Sequence, residues 1–153
     1  MNLTIINLNE KLSEQLSKMF ISDREEYRKY FIPFSSFKMT DIKKLLKNSK
    51  KDRYWGILCG EKLEGMFMLR GFDEGYNRPS FGVYISEPFS NNGLSKLALQ
   101  FALSWCEVNG IAKVMLKVHP DNVCAKRVYE RAGFNFIERC HKSKQDIFEK
   151  SLK

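Results

Sequence analysis

The chain has few of the residues that build metal centres, disulfide frameworks or membrane spans. It contains only two histidines and four cysteines. The cysteines are scattered without close pairing, at Cys59, Cys106, Cys124 and Cys140. This pattern predicts neither a zinc site nor a disulfide framework, and we expect reduced, mostly buried thiols. No apolar run approaches the ~20 residues of a transmembrane helix. Because no basic and then apolar segment opens the chain, we expect no signal peptide and a cytoplasmic location.

The length and the charge limit the classes of function. With 153 residues, 43% of them hydrophobic, the chain is long enough for one domain over residues 1–153 with its own core. The net charge of +8 favours anionic partners. Many of the cations lie between Lys38 and Arg53, a run typical of a solvated helix face. They are not interleaved with aromatic residues, so the pattern does not favour a nucleic-acid surface.

The segment from Phe81 to Phe134 predicts a strand, a turn, a long helix, a strand and a short helix. Phe81 to Ser86 is rich in strand-forming residues, and Leu94 to Val108 has helical spacing with no internal glycine or proline. Between them, Ser90 to Gly93 combines residues that tolerate positive φ. The N–H groups of this loop and of the first helical turn predict a phosphate-binding nest.

The end of the same segment carries a recognisable pattern. After Asn122, apolar residues recur at helical spacing up to Gly133, which ends the predicted helix. The pattern Asn122-x-x-Ala125-x-x-x-Tyr129-Glu130-x-x-Gly133-Phe134 resembles the second signature of the GCN5-related N-acetyltransferases (GNAT family). The loop Ser90-x-x-Gly93-x-Ser95 resembles their pyrophosphate loop. It departs from the family pattern at Ser90, where Arg or Gln is usual, and at Ser95, where Gly or Ala is usual.

The resemblance implies an α/β fold with a mixed, mostly antiparallel sheet of about seven strands, flanked by about four helices and splayed at its centre. It implies transfer of the acetyl group of acetyl-CoA to a primary amine by direct attack in a ternary complex, with no metal. The resemblance also places the donor on a set of named positions. These are Tyr84 and Ile85 beside the pantetheine arm, Asn122, and the pyrophosphate loop residues Asn91, Asn92, Gly93, Leu94, Ser95 and Lys96.

The resemblance assigns proton transfer mainly to Tyr129. A phenol with a pKa of ~10 can pass a proton to the leaving thiolate, whose thiol has a pKa of ~8.5. Glu87, at the end of the central strand, is the expected base, and Asp73, Glu74 and His119 are alternatives.

The acceptor is the part of the reaction that the sequence leaves most open. Tyr30, Phe31 and Phe34 belong to an aromatic segment, Asp23 to Phe37, that either forms one wall of the acceptor cleft or simply covers the sheet. The net charge favours an acceptor with negative or aromatic character, such as a nucleotide-linked amino sugar. A protein N-terminus or lysine is the alternative, and so is a non-catalytic acyl-CoA-binding domain. We expect a monomer or a homodimer.

The rest of the chain predicts the outer elements. Leu3 to Leu8 reads as a first strand and Glu10 to Ile21 as an amphipathic helix. A second helix from Asp41 to Asn48 is expected to begin at Thr40 as N-cap. Further strands are expected at Arg53–Cys59, Lys62–Arg70, Lys113–Val118, Phe134–Cys140 and Asp146–Leu152, the last two forming an antiparallel hairpin.

Overall fold

One seven-stranded sheet forms the centre of the computed structural model, which describes residues 1–31 and 33–153. The strands lie in the order β1-β2-β3-β4-β5-β7-β6. All neighbours are antiparallel except β4 and β5, which are parallel. This confirms the predicted mixed, mostly antiparallel sheet. The bounds are β1 Leu3–Asn7, β2 Arg53–Cys59, β3 Lys62–Arg70, β4 Ser80–Ile85, β5 Lys113–Val118, β6 Asn135–Arg139 and β7 Asp146–Ser151.

Five α-helices flank the sheet in the described residues, one more than expected: α1 Ser13–Ile21, α2 Glu25–Arg28, α3 Met39–Asn48, α4 Leu94–Val108 and α5 Val123–Arg131. The additional helix, α2, is a single turn within the aromatic segment. A 3-10 turn, Glu10–Leu12, precedes α1.

The predicted start of the second helix is wrong. Helix α3 begins at Met39, so Thr40 lies inside it and is not its N-cap. The hydroxyl of Ser36 instead organises this end, because it accepts the N–H of Lys38 and donates to the carboxylate of Asp41 at 2.7 Å.

Each face of the sheet carries its own core. On one side, which we call the α4 face, Phe67, Phe81 and Val114 pack with apolar residues of α4 and α5. On the other side, the α1 face, Met66, Met68 and Tyr84 pack with α1 and α3. Because both faces are covered, β3 reads as a nearly continuous buried run rather than as an alternation.

A buried carboxylate fixes α5 against the last two strands. Asp146 is 3% exposed, and it accepts hydrogen bonds from Lys126 of α5 at 2.7 Å and from Arg139 of β6 at 2.9 Å. The hydrogen bond from Lys126, followed by that from Arg139, holds the pKa of this carboxyl below its usual range. The predicted β6–β7 hairpin is present, with β7 inserted between β5 and β6.

The cysteines are all free thiols, but only half of them are buried. Cys59 and Cys106 lie in the core, whereas Cys124 is exposed and Cys140 is partly exposed. Burial raises the pKa of Cys106 to about 11, and hydrogen bonds from Ser143 lower the pKa of Cys140 to about 7. Across residues 1–31 and 33–153, no cluster of three potential metal ligands occurs, and none of the helices could cross a bilayer.

Candidate functional site

The sheet opens between its two parallel strands. β4 and β5 pair only at Ser80 with Met115 and Phe81 with Leu116. Beyond these pairs the strands diverge, so the predicted splay at the centre of the sheet is confirmed. The N–H of Ser86 donates to the carbonyl of Glu64 on β3. Backbone groups alternate along an antiparallel ladder, so those of Val83 and Ile85 are turned towards the gap.

A cavity of about 640 Å³ runs through this gap. Its walls include Arg70, Gly82 and Lys117. The neighbours of these residues along their strands pack on the α4 face, so the three positions themselves belong to the α1 face. They also include Val83 and Tyr129, which pack on the α4 face. Two molecules that approach from opposite faces of the sheet can therefore meet in one cavity.

The Asn/Gly loop beside the gap has the backbone that the sequence predicts. Asn91 and Gly93 have φ values of 61° and 88°, and α4 begins directly after Gly93. In the described part of the chain, the N–H groups from Gly93 to Lys96 have no acceptor. These free donors at the positive end of a 15-residue helix suit a phosphate group.

Helix α5 brings two predicted site residues to the same cavity. The side chain of Asn122 accepts the N–H of Ala125 at 3.3 Å and thus forms the N-cap. Tyr129 packs edge-on against Phe81 and Phe134, with ring centroids 6.5 and 6.0 Å away. Burial raises the pKa of Tyr129 to about 12. Among the described residues its hydroxyl has no hydrogen-bond partner, and the side chain lines the cavity.

Comparison with known families agrees with this geometry. The family model described as an acetyltransferase (GNAT) domain matches residues 2–135. The chain belongs to the GNAT acetyltransferase family. An 81-residue segment is also 26% identical to the chloroplastic GCN5-related N-acetyltransferase 6 of Arabidopsis thaliana. That match covers 52% of this chain but only 28% of the plant protein.

Solved structures show the same fold at low sequence identity. The PaiA N-acetyltransferase of Thermoplasma acidophilum, solved in complex with coenzyme A, superposes with a TM-score of 0.78 at 19% identity over 99% of both chains. RimL, a ribosomal L7/L12 alpha-N-protein acetyltransferase solved in complex with coenzyme A, superposes with a TM-score of 0.84 at 12% identity, over 99% of this chain and 94% of RimL. Such identities establish the GNAT fold alone.

In this GNAT domain, the register of β4 gives backbone groups for the pantetheine arm that differ in part from the two predicted positions. Tyr84, one of the two predicted positions, directs its backbone towards Met66 of β3. Its ring is buried, and its hydroxyl donates to Asp23 at 2.5 Å. Ile85 does face the gap, but the hydroxyl of Tyr27 donates to its carbonyl at 2.5 Å. The gap-facing N–H groups are those of Val83 and Ile85.

Glu87, the predicted base, lies outside the cavity lining. It opens a 3-10 turn, Glu87–Phe89, between β4 and the Asn/Gly loop. Its carboxylate is paired with the guanidinium of Arg24, with Nε and Oε1 3.1 Å apart. The hydrogen bond from Arg24 holds the pKa of Glu87 below its usual range. A paired carboxylate of this kind is a weak proton acceptor near neutral pH.

Two of the three alternative bases, Asp73 and His119, accept hydrogen bonds from backbone N–H groups. The carboxylate of Asp73 accepts backbone N–H groups of Lys50, Lys51 and Asp52 and so holds the loop before β2. His119 does line the cavity, but its Nδ1 accepts the N–H of Asp121 at 3.1 Å. Glu74 lines the cavity as well.

The predicted aromatic wall divides between the core and the cavity. Phe31 and Phe34 are 8% and 7% exposed and pack around Phe20. Tyr30 is 40% exposed, lines the cavity and lies edge-on to His119 with ring centroids 5.2 Å apart. Most of the segment thus covers the sheet, while Tyr30, together with one side of Phe31, faces the site.

Sequence reasoning missed the contacts that attach α2 to the end of β4. Asp23 is 8% exposed and accepts both the hydroxyl of Tyr84 and the N–H of Glu87. Arg24 and Tyr27 add the contacts to Glu87 and Ile85 described above. Burial and the hydrogen bond to Asp23 raise the pKa of Tyr84. The only signal in the sequence is an acidic residue beside an aromatic segment, which does not identify a partner 61 residues away.

Proposed function

We propose that residues 1–153 form a single N-acetyltransferase domain that moves the acetyl group of acetyl-CoA to a primary amine by direct attack in a ternary complex. The observation that carries this proposal is the cavity through the β4–β5 gap, which joins Tyr129 on one face of the sheet to open space on the other. Family membership supports the same reaction class.

The free N–H groups from Gly93 to Lys96, with Asn91 and Asn92, would hold the pyrophosphate of acetyl-CoA. The side chain of Asn122 and the gap-facing N–H groups of Val83 and Ile85 would hold the pantetheine arm and the thioester oxygen. Acetyl-CoA supplies an activated acyl group, so the chain mainly positions the reactants.

Proton transfer rests on few side chains. The amine nitrogen bonds to the thioester carbon, the carbon–sulfur bond breaks, and the hydroxyl of Tyr129 donates a proton to the departing sulfur. The amine loses its own proton to water. The carboxylates of Glu87 and Asp73 are already paired, and Glu74, which lines the cavity, is the carboxylate that can take this proton from the water. We assign Glu87 the task of holding Arg24 and the adjoining loop, and the prediction that it acts as a base stays untested.

The acceptor is proposed to carry negative charge close to its amine, because the described part of the cavity wall contains cations without a paired carboxylate. Arg70 and Lys117 line the cavity, and neither has a carboxylate within ion-pair distance in the described residues. Arg78, in contrast, is paired with Glu149. Such a site suits a nucleotide-linked amino sugar, with Tyr30 available for stacking, and equally a protein amine. RimL, which shares the fold, modifies a protein N-terminus.

The test is a calorimetric titration with acetyl-CoA followed by a thiol-release assay with a panel of amines. The panel should contain an amino-sugar nucleotide, peptides with free N-termini, peptides with a single lysine, and spermidine. The proposal predicts saturable binding and release of coenzyme A with at least one anionic amine. Binding without turnover on any amine would instead indicate a non-catalytic acyl-CoA-binding domain.

A further inference from the structure

A second cavity of about 500 Å³ adjoins the one at the gap. It lies between α3, the end of β3 and the segment after residue 32, and it shares Arg70 and Glu74 with the first cavity. Each volume alone is typical of a small-molecule site, so two cavities in series suit an extended chain. We infer that the acceptor is a peptide N-terminus whose following residues run along both cavities, acidic residues first and basic residues after them. This inference rests on the proposed function.

The sheet register gives the spacing along this path. Arg70 pairs with Ser80 at the start of β4, and Val83 faces the gap three residues farther along. At ~3.3 Å per residue, Arg70 lies ~10 Å from the point where the amine must meet the thioester. An extended peptide covers that distance in about three residues. Carboxylates on the second to fourth residues therefore come within reach of Arg70 and Lys117.

The two cavities differ in the sign of their charge. Arg70, Arg78 and Lys117 line the first cavity, where Glu74 is the one carboxylate among its lining residues in the described chain. The second cavity also has Arg70 and Glu74 in its wall, and it adds Asp41, Asp52 and Asp73 against one further cation, Lys44. A peptide that continues past Arg70 thus passes from a basic to an acidic environment, which favours Arg or Lys side chains on about the fifth and sixth residues.

The test compares two eight-residue peptides of identical composition and net charge. The first reads serine, two aspartates, alanine, two arginines, alanine and glycine, and the second exchanges the aspartates with the arginines. Because arginine is not a primary amine, only the N-terminus can be acetylated. We expect kcat/KM for the acid-first peptide to exceed that for the base-first peptide at least tenfold, mainly through KM.

Three variants distinguish contacts of the peptide with the two cavities from an effect of the protein's overall charge. Arg70→Gln should abolish most of the preference, and Asp41→Asn should reduce it about threefold, whereas the matched surface change Glu14→Gln, on the exposed side of α1, should leave it intact. An N-terminally acetylated peptide serves as the blank.

Equal rates on the two peptides, or a preference that survives in Arg70→Gln, would overturn the inference. Turnover of a small amine but of neither peptide would also overturn it, while leaving the proposed function in place. If acetyl-CoA binds but no amine of the panel causes release of coenzyme A, the proposed function itself is overturned.

Discussion

Tyr129 is the residue on which the proposed chemistry depends most. Its ring is held between Phe81 and Phe134, while its hydroxyl is left without a partner among the described residues. Because the side chain lines the cavity, this hydroxyl is free to donate to a group of the bound substrates.

Replacing Tyr129 by Phe should keep the fold and the donor affinity and lower kcat on the order of 10²-fold, the usual size of one proton-transfer contribution. Steady-state kinetics, thermal unfolding and calorimetry with acetyl-CoA measure the three quantities. Tyr76→Phe, an exposed tyrosine that also lines the cavity, is the matched control and should retain kcat, since it takes no part in proton transfer. A kcat for Tyr129→Phe within a factor of two of the parent would return Tyr129 to a purely structural role.

The pH dependence should reflect the acceptor and not the enzyme. A peptide α-amine has a pKa of ~8, so kcat/KM should rise with pH up to about pH 8–9 as the neutral amine forms. Burial raises the pKa of Tyr129 to about 12, so the phenol stays protonated and remains a donor well above that range. A rate profile in a wide-range buffer should therefore reach a plateau. A decline near pH 9 that is absent in Tyr129→Phe would contradict this.

At the residue scale, the sequence predicted what a local motif specifies. Asn122 and Tyr129 lie within one helical motif, and both line the cavity at the gap. The loop around Gly93 has the predicted positive φ and opens α4. Arg70, Lys117 and Asp23 belong to elements far apart in the chain, and their roles depend on sheet register and burial. Hydrophobic periodicity specifies neither the register of a sheet nor the burial of a polar side chain, so these residues could not be identified from the sequence.

At the scale of the element, the loop before α4 is the most constrained part of the site. Gly93 has a φ of 88°, and a Cβ built there meets no atom within 4 Å. A side chain would therefore be disfavoured by backbone strain and by the approach of a phosphate, not by crowding inside the protein.

Gly93→Val should weaken acetyl-CoA binding at least tenfold, because a β-branched residue disfavours positive φ and projects towards the pyrophosphate. Gly60→Val is a closely matched control, since Gly60 has a φ of 65° and equally open surroundings in the turn between β2 and β3. Both variants should lose stability in thermal unfolding, but only Gly93→Val should lose affinity in calorimetry. Equal affinity of the two variants for acetyl-CoA would show that the pyrophosphate does not bind at this loop.

The elements themselves were predictable to different degrees. β2, β3 and α4 have the predicted bounds, because glycine turns and long periodic runs define them. Helix α2 is a single turn, held by the contacts of Asp23, Arg24 and Tyr27 with the end of β4. Tertiary contacts of that kind leave no helical period in the sequence. The start of α3 at Met39 is set instead by local hydrogen bonds of the Ser36 hydroxyl, which helical periodicity does not show either.

At the scale of the whole molecule, the function follows from one irregularity in the sheet. Two residue pairs join β4 to β5, and beyond them the strands separate. The α4 face presents the Asn/Gly loop and Tyr129, and the α1 face presents Arg70 and Lys117. A single opening between two otherwise covered faces allows a donor and an acceptor to occupy the protein together.

Direct transfer in a ternary complex is therefore the central claim. A double-displacement route would need a nucleophile that takes up the acetyl group, such as a cysteine activated by a base. No cysteine is among the described residues that line the cavity at the gap. Cys59 and Cys106 are buried in the core, and Cys124 is exposed on α5. Cys140, the thiol with the lowered pKa, follows β6 and is not among the described residues that line this cavity.

The most direct test is a two-substrate initial-rate measurement. Acetyl-CoA is varied at several fixed concentrations of the best amine, and release of coenzyme A is followed. Direct transfer predicts double-reciprocal lines that intersect, and no release of coenzyme A before the amine is added. Parallel lines, with a burst of free thiol in the absence of amine, would show an acetyl-enzyme and contradict the account.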